Sequence, residues 1–286
     1  MSEVKIAVIG GSGIYQMEGM KVLREINIET PFGKTSDSIV IGDLDGIQVG
    51  FLPRHGRGHR LNPSEIPARA NFYALKSIGV EQVISVSAVG SLREEIQPLH
   101  LVVPDQLIDR TKGRVSTFFN EGIVAHVAFA DPFCPVIRTE LIQCASEIGA
   151  TVHSEGTYVV MEGPAFSTRA ESHLYRSWGA SIIGMTALPE AKLAREAEIC
   201  YATIACATDY DVWREGSEDV SVEQVVANLL RNAETSQSVL RRMIPKLPSI
   251  RNCVCVSAMH NGIITDQKMI SPEVRGRLRI LLPNEQ

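Results

Sequence analysis

Along the 286-residue chain, short β-rich apolar runs alternate with stretches whose apolar residues recur at helical spacing. Val4 to Ile9 is the first run and stops at Gly10-Gly11. Ile39 to Ile41 and Ile47 to Phe51 flank Asp45-Gly46, which predicts a hairpin. After Pro67, Phe72, Leu75 and Ile78 share one helical face, and Gly79 stops it. Gln82 to Ala88 returns as a strand ahead of Gly90. Ile137, Leu141, Ala145 and Ile148 form another helical stripe, closed by Gly149. Thr157 to Met161, Ser181 to Met185 and Tyr201 to Ala207 read as further strands, and Pro189 opens a helix through about Glu198. Ser221 with Gln224 three residues on makes a capping box ahead of Val222, Val225, Val226, Leu229, Ala233 and Leu240, a long amphipathic helix. Ser271-Pro272-Glu273 caps a last short helix, and the apolar Ile280-Leu281-Leu282-Pro283 is expected to dock on its own domain or on another subunit.

This alternation, with neither repeat nor polar linker, predicts one α/β domain over residues 1–286: a central sheet, made mixed by the early hairpin, flanked by helices. Composition agrees, since 44% hydrophobic and 21% charged residues give enough apolar material for a sizeable core. The net charge of −5 and the lack of an arginine-rich stretch argue against nucleic acid as a partner. No apolar run approaches the ~20 residues needed to cross a bilayer, so no membrane partner is expected. The N-terminus reads as a first strand, not a signal peptide, and the expected location is cytoplasmic.

Candidate chemistry gathers at strand ends. Gly10-Gly11-Ser12-Gly13 follows a strand and suits close approach of backbone N–H groups and a serine hydroxyl to a phosphate oxygen. It is not a dinucleotide fingerprint, because Gln16 stands where the third glycine belongs. Nor is Gly33-Lys34-Thr35 a P-loop, since Ile28 replaces the required glycine. Arg54-His55-Gly56 follows the second hairpin strand, where an arginine fork beside a histidine suits a bidentate anion contact. Ser85 to Ser91 and Met185-Thr186 are two more hydroxyl-bearing strand ends, and ligands of open α/β sheets collect at such places. Thr208-Asp209-Tyr210-Asp211 sets two carboxylates at i and i+2 beyond a buried strand, where raised proton affinity suits hydrogen bonds to a heterocycle.

The six cysteines, Cys134, Cys144, Cys200, Cys206, Cys253 and Cys255, include no CxxC pair. Cys253 and Cys255 with His260 offer only three metal ligands at unusual spacing, and no metal is expected. A strained disulfide within Cys253-Val254-Cys255, or a bond to Cys200 or Cys206, is the alternative.

Taken together, IGGSGIY, TPFGKTSD, LPRHGRGHR, VSAVGSLREE, PDQLIDRT, ADPFCP, EGPAFSTRAES, GMTALPE, CYATIACATDYDVW and ILLP run nearly end to end. The set resembles the S-methyl-5′-thioadenosine phosphorylases of the trimeric purine nucleoside phosphorylase family. That resemblance implies phosphate binding by Ser12, Arg54, His55, Ser87, Ala88 and Thr186, with inorganic phosphate as co-substrate and no metal or organic cofactor. It places Met185 on the ribose hydroxyls, Phe166 against the base, and Asp209, Tyr210 and Asp211 around the purine, with Asp209 as the catalytic acid. Val222, Val225 and Val226 match the methylthio pocket, and Ser167 and Val222 match positions that set specificity. His126 and Leu281 match residues supplied by an adjoining subunit, which implies a homotrimer, as a single ring or a dimer of trimers, with residues 252–286 near its interface.

These implied roles agree with elementary chemistry. A carboxyl at Asp209 accepts from a 6-amino group, where asparagine would suit a 6-oxopurine, and apolar valines give a 5′-hydroxyl no compensation for desolvation. Adenine and a thiomethyl group are therefore expected over inosine, methylthioinosine or mere nucleotide binding. Ala165 stands where relatives often have arginine, and Leu99-His100 where a Gly-Asp pair is often seen.

Overall fold

The computed structural model describes residues 4–11, 17, 19–214 and 222–282, with the side chains of 222–226 outside the description. In chain order the strands are β1 (Ile6–Gly10), β2 (Lys21–Ile26), β3 (Glu29–Thr30), β4 (Gly33–Lys34), β5 (Ile39–Leu44), β6 (Ile47–Pro53), β7 (Gln82–Ser91), β8 (Leu101–Val102), β9 (Gln106–Arg110), β10 (Val152–His153), β11 (Thr157–Met161), β12 (Ile182–Gly184) and β13 (Cys200–Asp209). The helices are α1 (Ala68–Ser77), α2 (Pro135–Glu147), α3 (Arg169–Ser177), α4 (Ala187–Glu196), α5 (Val222–Met243) and α6 (Pro272–Leu278).

Eleven of these strands form one mixed sheet in the order β10-β8-β13-β7-β1-β6-β5-β2, from which β12, β11 and β9 branch. The expected hairpin is β5 and β6, antiparallel around Asp45-Gly46. At the centre, β1 runs parallel to β6 and to β7, and β7 parallel to β13. Strand β7 is the axis, because its last residues, Gly90 and Ser91, also pair antiparallel with β12, while Gly90 stays in register with Asp209 of β13. One long strand thus brings the ends of β1, β6, β12 and β13 to a common edge.

Alternation along the central strands sorts side chains to two buried faces. In β1, Ala7 and Ile9 enter one apolar cluster, while Ile6 and Val8 enter the other. Strand β13 does the same with Tyr201 and Ala205 against Ala202 and Ile204. Residues of α1 and α4 cover the first face, and residues of α2 and α5 the second. Burial on both faces explains why these strands read as continuous apolar runs.

The sequence expectations fare as follows. Strand β7 runs on to Ser91, past the expected end at Ala88, because its final pairs are with β12. Leu188 has non-helical φ and ψ, so regular α4 starts at Pro189 as expected, and it ends at Glu196. Ser221 lies outside the described residues. Ser271 caps α6 by accepting from the Val274 N–H at 3.2 Å. The tail docks on its own chain: Val274, Leu278 and Leu281 belong to the main apolar cluster.

One polar arrangement sits inside this core. Arg54, which follows β6, is 2% exposed, and its guanidinium forms an ion pair with the equally buried Glu190 of α4. Its Nη1 donates to the Val86 carbonyl at 3.1 Å, and its Nη2 to Ser85 Oγ at 2.6 Å and to Glu190 Oε2 at 3.2 Å. The Tyr201 hydroxyl of β13 donates to Glu190 Oε2 at 2.9 Å, and burial holds that phenol well above its usual range, so it remains a donor. Strands β6, β7 and β13 and helix α4 are therefore tied by one pair of charges. Breaking a buried pair leaves an uncompensated ion, so Glu190→Gln is expected to lower unfolding free energy by about 3–5 kcal/mol in a denaturant titration. A loss below about 1 kcal/mol would show that Arg54 is satisfied by its other partners.

Candidate active site

The phosphate-type residues converge beside β7. Ala88 is exposed within a strand otherwise buried or half-buried, which marks an opening in the core. Ser87 Oγ lies 3.0 Å from Thr186 Oγ1, so two hydroxyls from β7 and from the start of α4 share one point. Arg114 holds the second of these segments in place. Its nearly buried guanidinium donates to the carbonyls of Met185 and, at 2.7 Å, Leu188, and it also reaches the Glu162 carbonyl.

The sequence suits Arg54 to a bidentate anion contact. The fork makes that contact with Glu190, and its remaining donors go mainly to Val86 and Ser85, which leaves one Nη1 hydrogen for a ligand. Its charge is offset by the Glu190 carboxylate. The His55 Nδ1 lies 2.9 Å from the Leu61 carbonyl, which only an N–H can satisfy, so Nε2 carries the lone pair in the neutral ring. Burial, followed by the Arg54 charge, pushes His55 down to about 4. A neutral His55 therefore offers an acceptor at Nε2.

The carboxylates form the other half of the cleft. Asp209 closes β13, and its Oδ2 accepts from Thr208 Oγ1 at 2.7 Å while its Oδ1 accepts from the Asp211 N–H at 2.8 Å. Burial raises the Asp209 carboxyl above its usual range against those hydrogen bonds. Asp211 is buried with φ of 51°, and both of its carboxylate oxygens lie within 2.8 Å of the buried Ser167 hydroxyl. Gly90 makes room for the pair, because a Cβ there would stand 3.0 Å from Asp209 Oδ1 and 3.3 Å from Asp211 Cβ. From α5, Asn228 and Asn232 donate to the carbonyls of Thr208 and Ala207 at 2.7 and 3.0 Å and fix the strand end.

Ser87 and Gly90 are three residues apart on β7, about 10 Å along the strand, and Asp209 of β13 is paired with β7 at Gly90. Phe166, 56% exposed, adjoins Ser167 and is free to meet a ligand face. Tyr210 links the two aspartates through its backbone, while its ring packs edge-on to Trp213 at 5.9 Å and under Arg214 at 4.4 Å. Ser12 lies outside the described residues, as do the side chains of Val222, Val225 and Val226.

Within the single chain, His126 and Leu281 bond to residues of the C-terminal segment. His126 is exposed, with its N–H on the Gly262 carbonyl at 2.8 Å. Leu281 is 5% exposed and lies in the main core. Sequence reading missed Glu190, Arg114, Asn228 and Asn232. The available signal was a polar residue on an apolar helix face, such as Glu190 ahead of Ala191, Leu193 and Ala194.

Known proteins match both sequence and structure. The family model for the phosphorylase superfamily covers residues 5–245. The S-methyl-5′-thioadenosine phosphorylase of Geobacter sulfurreducens is 56% identical over 281 residues, covering 98% of this chain and 98% of that protein. The enzyme of the same name from Chloroflexus aurantiacus is 54% identical, with 97% of each chain covered. The crystal structure of a methylthioadenosine phosphorylase from an Antarctic soil metagenomic library superposes with a TM-score of 0.94 at 49% identity, covering 99% of this chain and all of that one. The Schistosoma mansoni methylthioadenosine phosphorylase in complex with adenine gives a TM-score of 0.82 at 37% identity, over 85% of this chain and 92% of that one.

The His55 environment has a consequence for stability. Its folded proton affinity is depressed, so the unfolded chain takes up the proton first as pH falls. The contribution is fully present above pH 6.5 and is lost as pH falls to about 4. Melting temperatures of the wild type and His55→Gln measured across that window are expected to diverge, with the wild type falling more steeply. Parallel curves would show that His55 titrates normally.

Proposed function

The chain belongs to the phosphorylase superfamily, and we propose that it cleaves the N-glycosidic bond of S-methyl-5′-thioadenosine with inorganic phosphate, giving adenine and S-methyl-5-thioribose 1-phosphate. The observation that supports this reading is a hydroxyl pair, Ser87 with Thr186, and a carboxylate pair, Asp209 with Asp211, both gathered along the C-terminal part of β7, the first at Ser87 and the second beside Gly90.

In this mechanism, Ser87, Thr186 and neutral His55 orient the phosphate below C1′. A phosphate oxygen forms the new bond to C1′ as the bond to N9 breaks, and the ribosyl centre passes through oxocarbenium character. The electron pair of the broken bond passes to the purine, which takes a proton at N7 from Asp209. Burial raises the proton affinity of this carboxyl and so equips it as an acid. Asp211, held by Ser167, supplies the second base contact, and Phe166 the ring face. No step needs a metal or organic cofactor.

The finer statements belong to the same proposal: a homotrimer, cytoplasmic location, and a part in purine and methionine salvage. A shared-site trimer is supported by the family resemblance and by an exposed apolar ridge. Val124 and Ile264, bonded to one another through their backbones, are 46% and 61% exposed beside the exposed His126.

Incubation with methylthioadenosine, adenosine and methylthioinosine, with and without phosphate, tests the reaction, and adenine release that requires phosphate is the expected result. Release independent of phosphate, or a preference for methylthioinosine, would overturn it. Asp209→Asn is expected to lower kcat about 10²–10⁴-fold and to shift preference toward 6-oxopurines. An unchanged base preference would remove Asp209 from base recognition.

A further inference from the structure

At the opposite end of β13 from the cleft, four cysteines from three distant segments meet. Cys134 precedes α2, Cys200 opens β13, and Cys253 and Cys255 lie at the short helical turn Val254–Ser257. Their sulfurs all lie within 4.8 Å of one another. The Cys200 and Cys253 sulfurs are 3.3 Å apart, and those of Cys134 and Cys253 3.7 Å apart. Cys134, Cys200 and Cys255 are buried, and Cys253 is half-buried. His260, the third ligand considered from the sequence, is exposed and outside the group, and Cys206 instead lies 3.2 Å from the Ser236 hydroxyl.

We propose that Cys134, Cys200, Cys253 and Cys255 bind one structural Zn2+ in a closed tetrahedral site. Zinc holds thiolate sulfur at about 2.3 Å, so the edges of a regular tetrahedron measure about 3.8 Å; the Cys134–Cys253 separation of 3.7 Å matches that edge, and the Cys200–Cys253 separation of 3.3 Å is about 0.5 Å shorter. Four thiolates around one divalent ion leave a net charge of −2, and the surroundings offset it. The Arg251 Nη1 lies 3.8 Å from the Cys200 sulfur, with the guanidinium braced by Glu81. Cys134 occupies the N-cap of α2, where the positive end of the helix dipole favours a thiolate. A half-buried Cys253 leaves an entry path for the ion.

Binding converts four thiols to thiolates and releases four protons to solvent, so the affinity rises with pH. No ligand position stays open for water. Cys200 and Asp209 begin and end a ten-residue strand, so at about 3.3 Å per residue the site lies roughly 30 Å from the reacting groups. Its role is to fasten the segment after α5 to the start of the central sheet and to α2, not to take part in phosphorolysis. Sequence spacing hid the site because only Cys253 and Cys255 are neighbours.

Purification of the full chain with a thiol reductant and without chelators should yield roughly one zinc per chain by elemental analysis. After removal of zinc under reduction, Co2+ titration should give the intense visible and sulfur-to-cobalt charge-transfer bands of tetrahedral thiolate coordination. Cys255→Ser and the milder Cys253→Ser should lose those bands, whereas Cys144→Ser and Cys206→Ser should keep them. Zinc removal should lower the melting temperature of the wild type and leave that of Cys253→Ser little changed. Reduced wild type that takes up neither Zn2+ nor Co2+ would overturn the proposal, whatever disulfides the isolated protein carries. Because each readout is metal content, spectrum or melting temperature, failure here leaves the proposed reaction untouched.

Discussion

The arrangement of this protein depends on a pair of opposite charges placed where water does not reach. Arg54 and Glu190 lie in the core beneath the cleft, and their bonds reach β6, β7, β13 and α4. A buried ion pair is a weak source of stability, because the desolvation of both ions opposes their attraction. Its value is geometric: each charge is satisfied only when four elements hold their native positions. The strand ends that carry His55, Ser87 and Thr186 are joined to those same elements.

That pairing also changes how the cleft handles an anion. In the proposed reaction, a neutralised Arg54 leaves selection of the phosphate chiefly to directed groups, the hydroxyls of Ser87 and Thr186 and the acceptor of neutral His55. Directed donors recognise the shape and proton content of the anion. The overall charge of −5 is therefore compatible with binding phosphate, since the local donor set governs the contact.

Much of the fold was legible in the chain. The hairpin around Asp45-Gly46, the α1 stripe, the cap at Ser271 and the apolar runs of β1 and β13 each follow from a local pattern that tertiary structure did not override. Residues that bear their own chemical mark, such as Asp209, Asp211 and the hydroxyls at strand ends, could be named as candidates from the chain too. Arg54 was visible as an arginine, but its partner Glu190 lies 136 positions away and no periodicity announces such a pair. Arg114, Asn228 and Asn232 were missed for the same reason: they act on backbone carbonyls of other elements, and a carbonyl carries no sequence signature.

The four cysteines show the same division. By itself the sequence determined the class of the fold, the order of its elements and the chemical types available at each strand end, because propensity, capping and apolar periodicity act over a few neighbouring residues. Only the tertiary structure decided which of those groups meet. Convergence at β7, the neutralisation of Arg54, the burial that raises Asp209 and the gathering of Cys134 and Cys200 with Cys253 and Cys255 all depend on contacts between distant segments. Hydrogen bonds, desolvation and metal-ligand geometry act over a few ångströms in space, and only the folded chain sets those distances.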